Sequence, residues 1–243
     1  MRSDLFRLLL NWIYKRPSIE VFEGVSELLE LNTVVGLANL KAFLKEWKAN
    51  RGVSKEEFWQ TLFAKNAFVL SQLFAYPVIL IKDKAYLGGK DLTNTGGHIV
   101  DFLCKLESTG AAAMVEIKTP MTPLLGSAYR GVYPISTELA GAISQALKYR
   151  SSLMENIQNL QPGEHTVIAS EPYCVVVAGD CAELDSSEQK ASFERFRERL
   201  NGVRILTFDE VYTRIEGLLA IFTDSSGISP QESVLRMGSD DLR

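Results

Sequence analysis

Three side chains of this sequence are suited to act together in one site: the carboxylates of Asp101 and Glu116 and the amine of Lys118. We expect Asp101 and Glu116 to lie opposite each other in a β-hairpin, where the Cβ atoms of directly opposed residues are about 4.5 to 5.5 Å apart. Lys118 follows Glu116 by two residues and therefore points to the same face of the sheet. Opposed carboxylates repel each other and raise one pKa, which predicts a bound cation.

The hairpin is predicted by two short segments, residues 98–106 and 112–118, which are β-branched or alternate between apolar and polar side chains. With Ser108 and Thr109 as the two loop residues, the two carboxylates fall directly opposite each other. A loop that is one residue longer or shorter would turn one carboxylate to the other face and remove the site.

The ion that these groups favour is Mg²⁺ or Mn²⁺ rather than zinc, because the available ligands are hard oxygen atoms. Asp101 and Glu116 would bind it together with the backbone carbonyl of Ile117 and with water. Lys118 would stabilise negative charge on a phosphate, or orient and help deprotonate the attacking water. The set predicts metal-assisted hydrolysis of a phosphodiester bond. The alternative is structural, because charged residues in strands commonly lie on a solvated face.

A helix after the hairpin carries a second polar pair, Gln145 and Tyr149, which lie four residues apart and therefore on one face. Ser136 or Thr137 is the predicted N-cap, and we expect the helix to run to about residue 156. The pair would orient a metal-bound water or a phosphate. The alternative is an ordinary polar helix edge.

The remaining pattern predicts an α/β layer structure behind an N-terminal helical piece. Apolar spacings of three and four residues indicate helices over residues 27–49 and 55–74, the second with Ser54 as its N-cap, and a short apolar run follows at 78–81. The last third alternates strand and helix, which favours parallel strands with right-handed crossovers. Its elements are predicted at residues 173–178, 187–200, 203–208 and 209–222, and a loose polar tail at 224–243.

Composition and charge narrow the function classes. The 243 residues carry a net charge of −4, so no overall field attracts nucleic acid and any basic site is local. The cations that we expect at phosphates are Arg130, Lys148 and Arg150.

An odd number of cysteines without C-x-x-C spacing argues against disulfides and against a zinc site, and it predicts buried thiols at Cys104, Cys174 and Cys181. No stretch reads as a membrane span or a secretory signal, which predicts a cytoplasmic protein without a membrane partner.

Other enzyme classes lack their motifs in this sequence. It contains no G-x-S-x-G, no G-x-x-x-x-G-K-[ST] and no H-E-x-x-H, and its two histidines, His98 and His165, are few for a triad or a zinc site. His98 lies three residues before Asp101, so in a regular strand it points to the opposite face, and we do not expect it to act as a base. A glycosidase would leave Lys118 and the Gln145 helix without a role.

The combination of Asp101, E-I-K at Glu116–Lys118 and Q-A-L-K-Y at Gln145–Tyr149 resembles the PD-(D/E)XK nuclease superfamily with its Q-x-x-x-Y motif. More narrowly, residues 54–210 are similar to the nuclease domain of Shedu anti-phage defence proteins. The segments that carry this similarity are W-Q at 59–60, L-S-Q-L-F at 70–74, Gly88–Gly89, D-F-L at 101–103, E-I-K-T-P at 116–120 and S-T-E-L at 136–139. Val100 stands where the superfamily pattern has a proline.

The resemblance implies a restriction-endonuclease-like core at residues 54–223, in which a mixed sheet is flanked by helices. A helical extension at 1–53 and a flexible tail at 224–243 complete the expected organisation. It also implies an extra acidic residue on the first core helix, Glu56 or Glu57, and a homo-oligomer that responds to a phage-derived trigger.

The expected function is a Mg²⁺-dependent DNA endonuclease or nickase in prokaryotic immunity. The main alternative is a catalytically inactive nucleic-acid-binding or sensor module on the same fold, and a third possibility is a scaffold whose charged positions are only structural.

Overall fold

The computed structural model describes the backbone of residues 21–90, 96–160 and 167–225, and the side chains of residues 35–90, 96–160 and 167–221. The larger of two compact units, Phe43–Ile221, carries the candidate site. The domain boundaries predicted after residues 53 and 223 stay predictions.

Helices and strands alternate through most of the described chain. In chain order they are α1 (Val21–Ala49), α2 (Glu56–Lys65), α3 (Phe68–Ser71), β1 (Val78–Tyr86), β2 (Ile99–Leu106), β3 (Ala111–Ile117), α4 (Thr137–Leu160), β4 (Ile168–Val177), α5 (Ser187–Arg197), β5 (Arg204–Leu206) and α6 (Phe208–Ser225). A short 3₁₀ turn, Cys181–Glu183, precedes α5.

The five strands form one mixed sheet in the order β1-β2-β3-β4-β5. The first three strands pair antiparallel, and β3, β4 and β5 pair parallel. The predicted α/β fold with a mixed sheet and flanking helices is confirmed at this level, and so is the parallel arrangement of the last strands.

The predicted hairpin register is also confirmed. Phe102 pairs with Val115 in the ladder between β2 and β3, as the sequence predicts. The turn itself closes differently, because the Gly110 N–H donates to the Leu106 carbonyl at 2.9 Å and Gly110 has a φ of +70°. This wider turn takes one more residue from each strand than a two-residue loop does, so the faces on which the side chains point are unchanged.

β3 carries Glu116 and is buried on both faces, so packing on each side holds the strand in place. On one face Met114 belongs to a core cluster with Leu139 and Ile143 of α4. Because side chains alternate along a strand, Val115 and Ile117 point to the other face, and both are fully buried there. α2 also packs against β3.

An aromatic cluster joins the helices of this unit. The ring of Trp59 on α2 meets the rings of Trp47 on α1 and Phe208 on α6 edge-on, at centroid distances of 5.2 Å and 4.9 Å. Such contacts add about 0.5 to 1.5 kcal/mol each to the burial of the rings. They hold α2, and with it Glu56, in a fixed position.

Two details of the predicted second helix are wrong. The N-cap is Lys55 rather than Ser54, and its side chain makes no capping hydrogen bond. The helix predicted over 55–74 is divided into α2 and α3, because the Asn66 side chain donates to the Leu62 carbonyl and the Asn66 N–H donates to Phe63. An asparagine that bonds the preceding turn in this way competes with the helical backbone pattern.

Other elements differ mainly in length. The apolar run at 78–81 begins a nine-residue edge strand, whose polar second half is exposed, and β4 begins at Ile168 rather than at 173. Ser136 is the cap of α4, since its hydroxyl accepts from the Leu139 N–H at 2.9 Å. Most of the predicted tail, 226–243, lies outside the described residues.

The cysteines are unpaired, as expected: Cys104 and Cys174 are buried and Cys181 is half-buried. Burial raises the pKa of Cys104 and Cys174 to about 12, so neither is a reactive thiolate. No helix in the described ranges has the length and apolar character that crossing a bilayer requires.

Candidate functional site

The β2–β3 hairpin brings Asp101 to the end of β3. Asp101 lies one residue and Ile117 two residues beyond the last ladder pair, and the Ile117 N–H donates to Asp101 Oδ2 at 2.7 Å. A side-chain carboxylate therefore takes the place that a backbone carbonyl holds elsewhere in the ladder. The bond fixes one oxygen of Asp101, which is buried, beside the strand that carries Glu116.

Lys118 lies at the centre of the polar cluster. Its Nζ is 3.1 Å from Glu116 Oε1, 3.5 Å from Glu56 Oε2 and 3.4 Å from Gln145 Oε1. Gln145 in turn donates from Nε2 to the Tyr149 hydroxyl at 2.8 Å. The structure thus brings together residues of β3, α2 and α4 that the sequence analysis named from separate motifs.

Of the two acidic candidates on α2, the structure brings Glu56 to the cluster. Both residues are exposed, but it is Glu56, the first residue of α2, whose carboxylate lies 3.5 Å from Lys118 Nζ. Adjacent residues of a helix point about 100° apart, so only one of the two can face the site. Gln60 lies one turn after Glu56, and its side chain is close enough to Asp101 to lower the pKa of that carboxylate.

Burial makes both carboxylates resist ionisation. It raises the pKa of Asp101 to about 6, against the opposing effects of the Ile117 N–H and Lys118. Burial and the charge of Asp101 raise the pKa of Glu116 to about 7, and Lys118 again opposes the rise. The site as it stands holds more negative charge than one lysine neutralises.

Lys118 keeps its proton in this setting. Burial works against its charge, but the anions of Glu116, Glu56 and Asp101 outweigh burial and raise the pKa of Lys118. A lysine with a raised pKa is a fixed cation at neutral pH and is suited to stabilise an anion rather than to remove a proton.

The donor set fits a hard divalent cation. Glu116 Oε2 is buried and has no hydrogen-bond partner in the described structure, and a buried carboxylate oxygen without a partner is costly. Within the described ranges, no three acidic, histidine or cysteine side chains gather closely enough to hold a metal by themselves. Asp101 and Glu116 offer two hard carboxylate donors, the type that Mg²⁺ and Mn²⁺ prefer when backbone and water oxygens complete the shell.

His98 is linked to the cluster through Tyr149, contrary to the expectation that it points away. Its ring meets the Tyr149 ring edge-on at 5.4 Å, and its Nδ1 is 3.4 Å from the Gly88 carbonyl oxygen. The expectation assumed a regular strand, but His98 precedes β2 and lies in irregular backbone. A Cβ on Gly89 would lie 2.2 Å from His98 Nδ1, so Gly89 makes room for this ring, whereas a Cβ on Gly88 would meet Asn156.

The three basic candidates are dispersed. Arg150 donates to the Pro172 carbonyl at 3.2 Å and pairs with Glu171, both on β4. Lys148 is exposed on α4, and Arg130 is exposed on the loop between β3 and α4.

The fold and site define a mixed α/β protein that gathers two buried carboxylates, a lysine and a glutamine at the end of one strand. Residues 53–212 match the family model described as Shedu protein SduA, C-terminal. The chain belongs to this family, which confirms the resemblance. It is 37% identical over 235 residues to the Shedu protein SduA of Bacillus cereus (strain B4264), a match that covers 90% of this chain and 62% of the relative. The chain thus spans about three-fifths of the length of this curated relative.

Proposed function

We propose that this chain is a metal-dependent DNA endonuclease or nickase of the PD-(D/E)XK type that acts in anti-phage defence. The observation that carries the proposal is the buried pair Asp101 and Glu116, whose negative charge exceeds what Lys118 neutralises and whose orphan oxygen, Glu116 Oε2, has no partner. The family supports the defence role, because the relative is a Shedu protein.

Mg²⁺ or Mn²⁺ would be held by Asp101, Glu116 and the carbonyl of Ile117. When bound, such an ion polarises a phosphate and makes a coordinated water nucleophilic at neutral pH. The chain's own residues position these oxygens: the Ile117 N–H orients Asp101, and the packing of β3 on both faces orients Glu116.

Lys118 supplies a fixed positive charge for the phosphate as negative charge develops on it. Gln145 positions that charge, since its Oε1 lies 3.4 Å from Lys118 Nζ while its Nε2 is bound to the Tyr149 hydroxyl. The second bond sets which way the amide faces and leaves its oxygen for the lysine. Glu56 holds the same ammonium group from the side of α2.

DNA is the proposed substrate, and a homo-oligomer the proposed assembly, because cutting both strands at one place takes two such sites. A cytoplasmic location and a phage-derived trigger are proposed with this role. Arg130 and Lys148 are exposed and free to reach phosphates, whereas Arg150 would first have to leave Glu171.

Incubation with supercoiled plasmid tests the proposal. We expect nicked or linear DNA with Mg²⁺, none with EDTA, and none from Asp101→Asn or Lys118→Ala. The control is Glu57→Gln, an exposed carboxylate one residue from the site residue Glu56. Melting temperatures of all variants show whether they fold. Plasmid binding without cutting at any metal concentration would instead favour an inactive binding module, and cutting that survives EDTA would refute the metal site.

A further inference from the structure

The loop between β3 and α4 contains a β-ribbon, residues 124–136, which we call the arm. Its two sides are joined by backbone hydrogen bonds from Ser136 N–H to Leu124 at 3.1 Å and from Gly126 N–H to the Pro134 carbonyl at 2.8 Å. At the other end, Tyr129 and Val132 exchange two such bonds. Tyr129 follows Leu124 by five residues, and a strand rises about 3.3 Å per residue, so the arm extends at most about 16 Å from its base.

The tip of the arm is a tight turn that presents an arginine. Arg130 and Gly131 have φ values of +50° and +83°, and a two-residue type I′ turn requires both to be positive. Asn-Gly is the favoured pair for this turn, whereas an arginine in the left-handed region is strained. Strain of this kind is concentrated at functional positions.

The side chains at the tip are exposed and suited to contact a polyanion. Tyr129 is 62% exposed and Val132 is 44% exposed. The guanidinium of Arg130 lies 5.4 Å from the centre of the Tyr129 ring, a cation–π contact that holds the charge at the tip.

The base of the arm is anchored beside the candidate site. At the base the Leu124 N–H donates to Glu183, and nearer the tip the Tyr133 N–H donates to Ser192 Oγ at 3.3 Å. A Cβ on Gly179 would lie 2.4 Å from Leu124 Cδ2, so the arm packs tightly on the loop that follows β4. The Lys118 N–H bonds Val177 at the end of β4, which places the base of the arm at the same sheet edge as Lys118.

The charge of this segment differs from that of the whole chain. No acidic residue occurs between Glu116 and Glu138, although the protein carries 30 acidic residues and a net charge of −4. The segment holds two cations, Lys118 and Arg130. A segment that itself carries cations and no carboxylates is suited to lie along the phosphates of a DNA backbone.

We propose that the arm enters a groove of duplex DNA next to the site. Arg130 at the tip would reach the base edges, and Tyr129 would contact the side of the groove. This inference rests on the proposed function and adds the duplex groove to it as the feature recognised. The major groove of B-DNA is about 12 Å wide and admits a two-stranded ribbon, and arginine is the side chain that most often reads guanine there.

Binding to a fluorescent 30-base-pair duplex, in EDTA to prevent cutting, tests the arm. The variant is Arg130→Asn, which removes the cation and leaves the residue pair that a type I′ turn favours, so the arm should fold at least as well. The control is Arg199→Asn, another exposed arginine. We expect Arg130→Asn to weaken duplex binding about tenfold with an unchanged or higher melting temperature, and Arg199→Asn to bind as the wild type does.

Each other outcome is decisive. If the wild type cuts plasmid and Arg130→Asn binds the duplex equally well, the arm proposal is wrong and the nuclease proposal stands. If the wild type neither binds nor cuts DNA, both are wrong. An equal loss of binding to the single strand of the same sequence would overturn the groove contact, because a single strand has no groove.

Discussion

Replacement of Asp101 by asparagine should stabilise the metal-free protein at neutral pH. Burial raises the pKa of Asp101 from an ordinary 3.8 to about 6, and a shift of about two units corresponds to about 3 kcal/mol against the charged form. Asparagine removes the charge and keeps an oxygen for the Ile117 N–H. The pKa of about 6 already includes the attraction of Lys118, but the amide Nδ2 that asparagine brings is a buried donor, which offsets part of the gain. We expect a net stabilisation of about 1 to 2 kcal/mol, or about 3 to 6 °C.

The gain depends on pH in a defined direction. The folded protein holds the Asp101 proton more tightly than the unfolded chain, because the folded pKa is the higher one. Wild-type stability from this residue is therefore fully present below about pH 4, declines as the pH rises to about 6, and stays at the lower level above it. The asparagine variant has no such decline, so its advantage is complete at pH 7.5 and absent near pH 4.

Thermal unfolding in EDTA across this pH range measures the effect. The matched control is Asp83→Asn on β1, where the carboxylate is exposed, and we expect its melting temperature to change by less than about 1 °C. Added Mg²⁺ should raise the melting temperature of the wild type and have little effect on Asp101→Asn. A variant that melts several degrees lower than the wild type at pH 7.5 would show that charged Asp101 supports the fold, and would refute the reasoning.

Three further changes test the surroundings of the site. Gly89→Ala should cost about 2 kcal/mol and lower the melting temperature by about 4 to 8 °C, because its φ is +84° and its Cβ would meet His98; an unchanged melting curve would contradict this packing. Tyr149→Phe should reduce single-turnover plasmid cutting about tenfold at an unchanged melting temperature, and full activity would remove the hydroxyl from the positioning network. Glu56→Gln should slow cutting several-fold while Glu57→Gln has no effect, and equal rates for the two would exclude the proposed role of α2.

The sequence predicts the central part of the site because it depends on local rules. The register of the hairpin follows from the period of two in β2 and β3 and from a turn that ends at a glycine, and the observed ladder has this register. Gln145 and Tyr149 share a face because they are one helical turn apart, and the observed hydrogen bond joins them.

Other parts of the site depend on tertiary packing and irregular backbone. His98 reaches Tyr149 from a segment without regular structure, so the alternation rule that predicts its direction does not apply. Gln60 reaches Asp101 only because α2 packs on β3. The choice between Glu56 and Glu57 likewise depends on the rotation of α2, which the aromatic cluster around Trp59 sets.

The arm is a third feature that the sequence alone does not predict. Pro120 and Pro123 interrupt ladder pairing after β3, so the sequence predicts a loop from there to Pro134. The short ribbon forms nonetheless, since the Arg130–Gly131 turn closes it, Glu183 holds its base and Ser192 holds it near the tip.

The most direct test of the central claim is anomalous diffraction from crystals of the protein soaked in Mn²⁺. We predict one or two anomalous peaks at the end of β3, with carboxylate oxygens of Asp101 and Glu116 about 2.1 Å from an ion and Glu116 Oε2 among the ligands. The same crystals of Glu116→Gln should lack the peak. Well-ordered Asp101 and Glu116 side chains with no ion between them at millimolar Mn²⁺ would contradict the claim that this site is built to hold a metal.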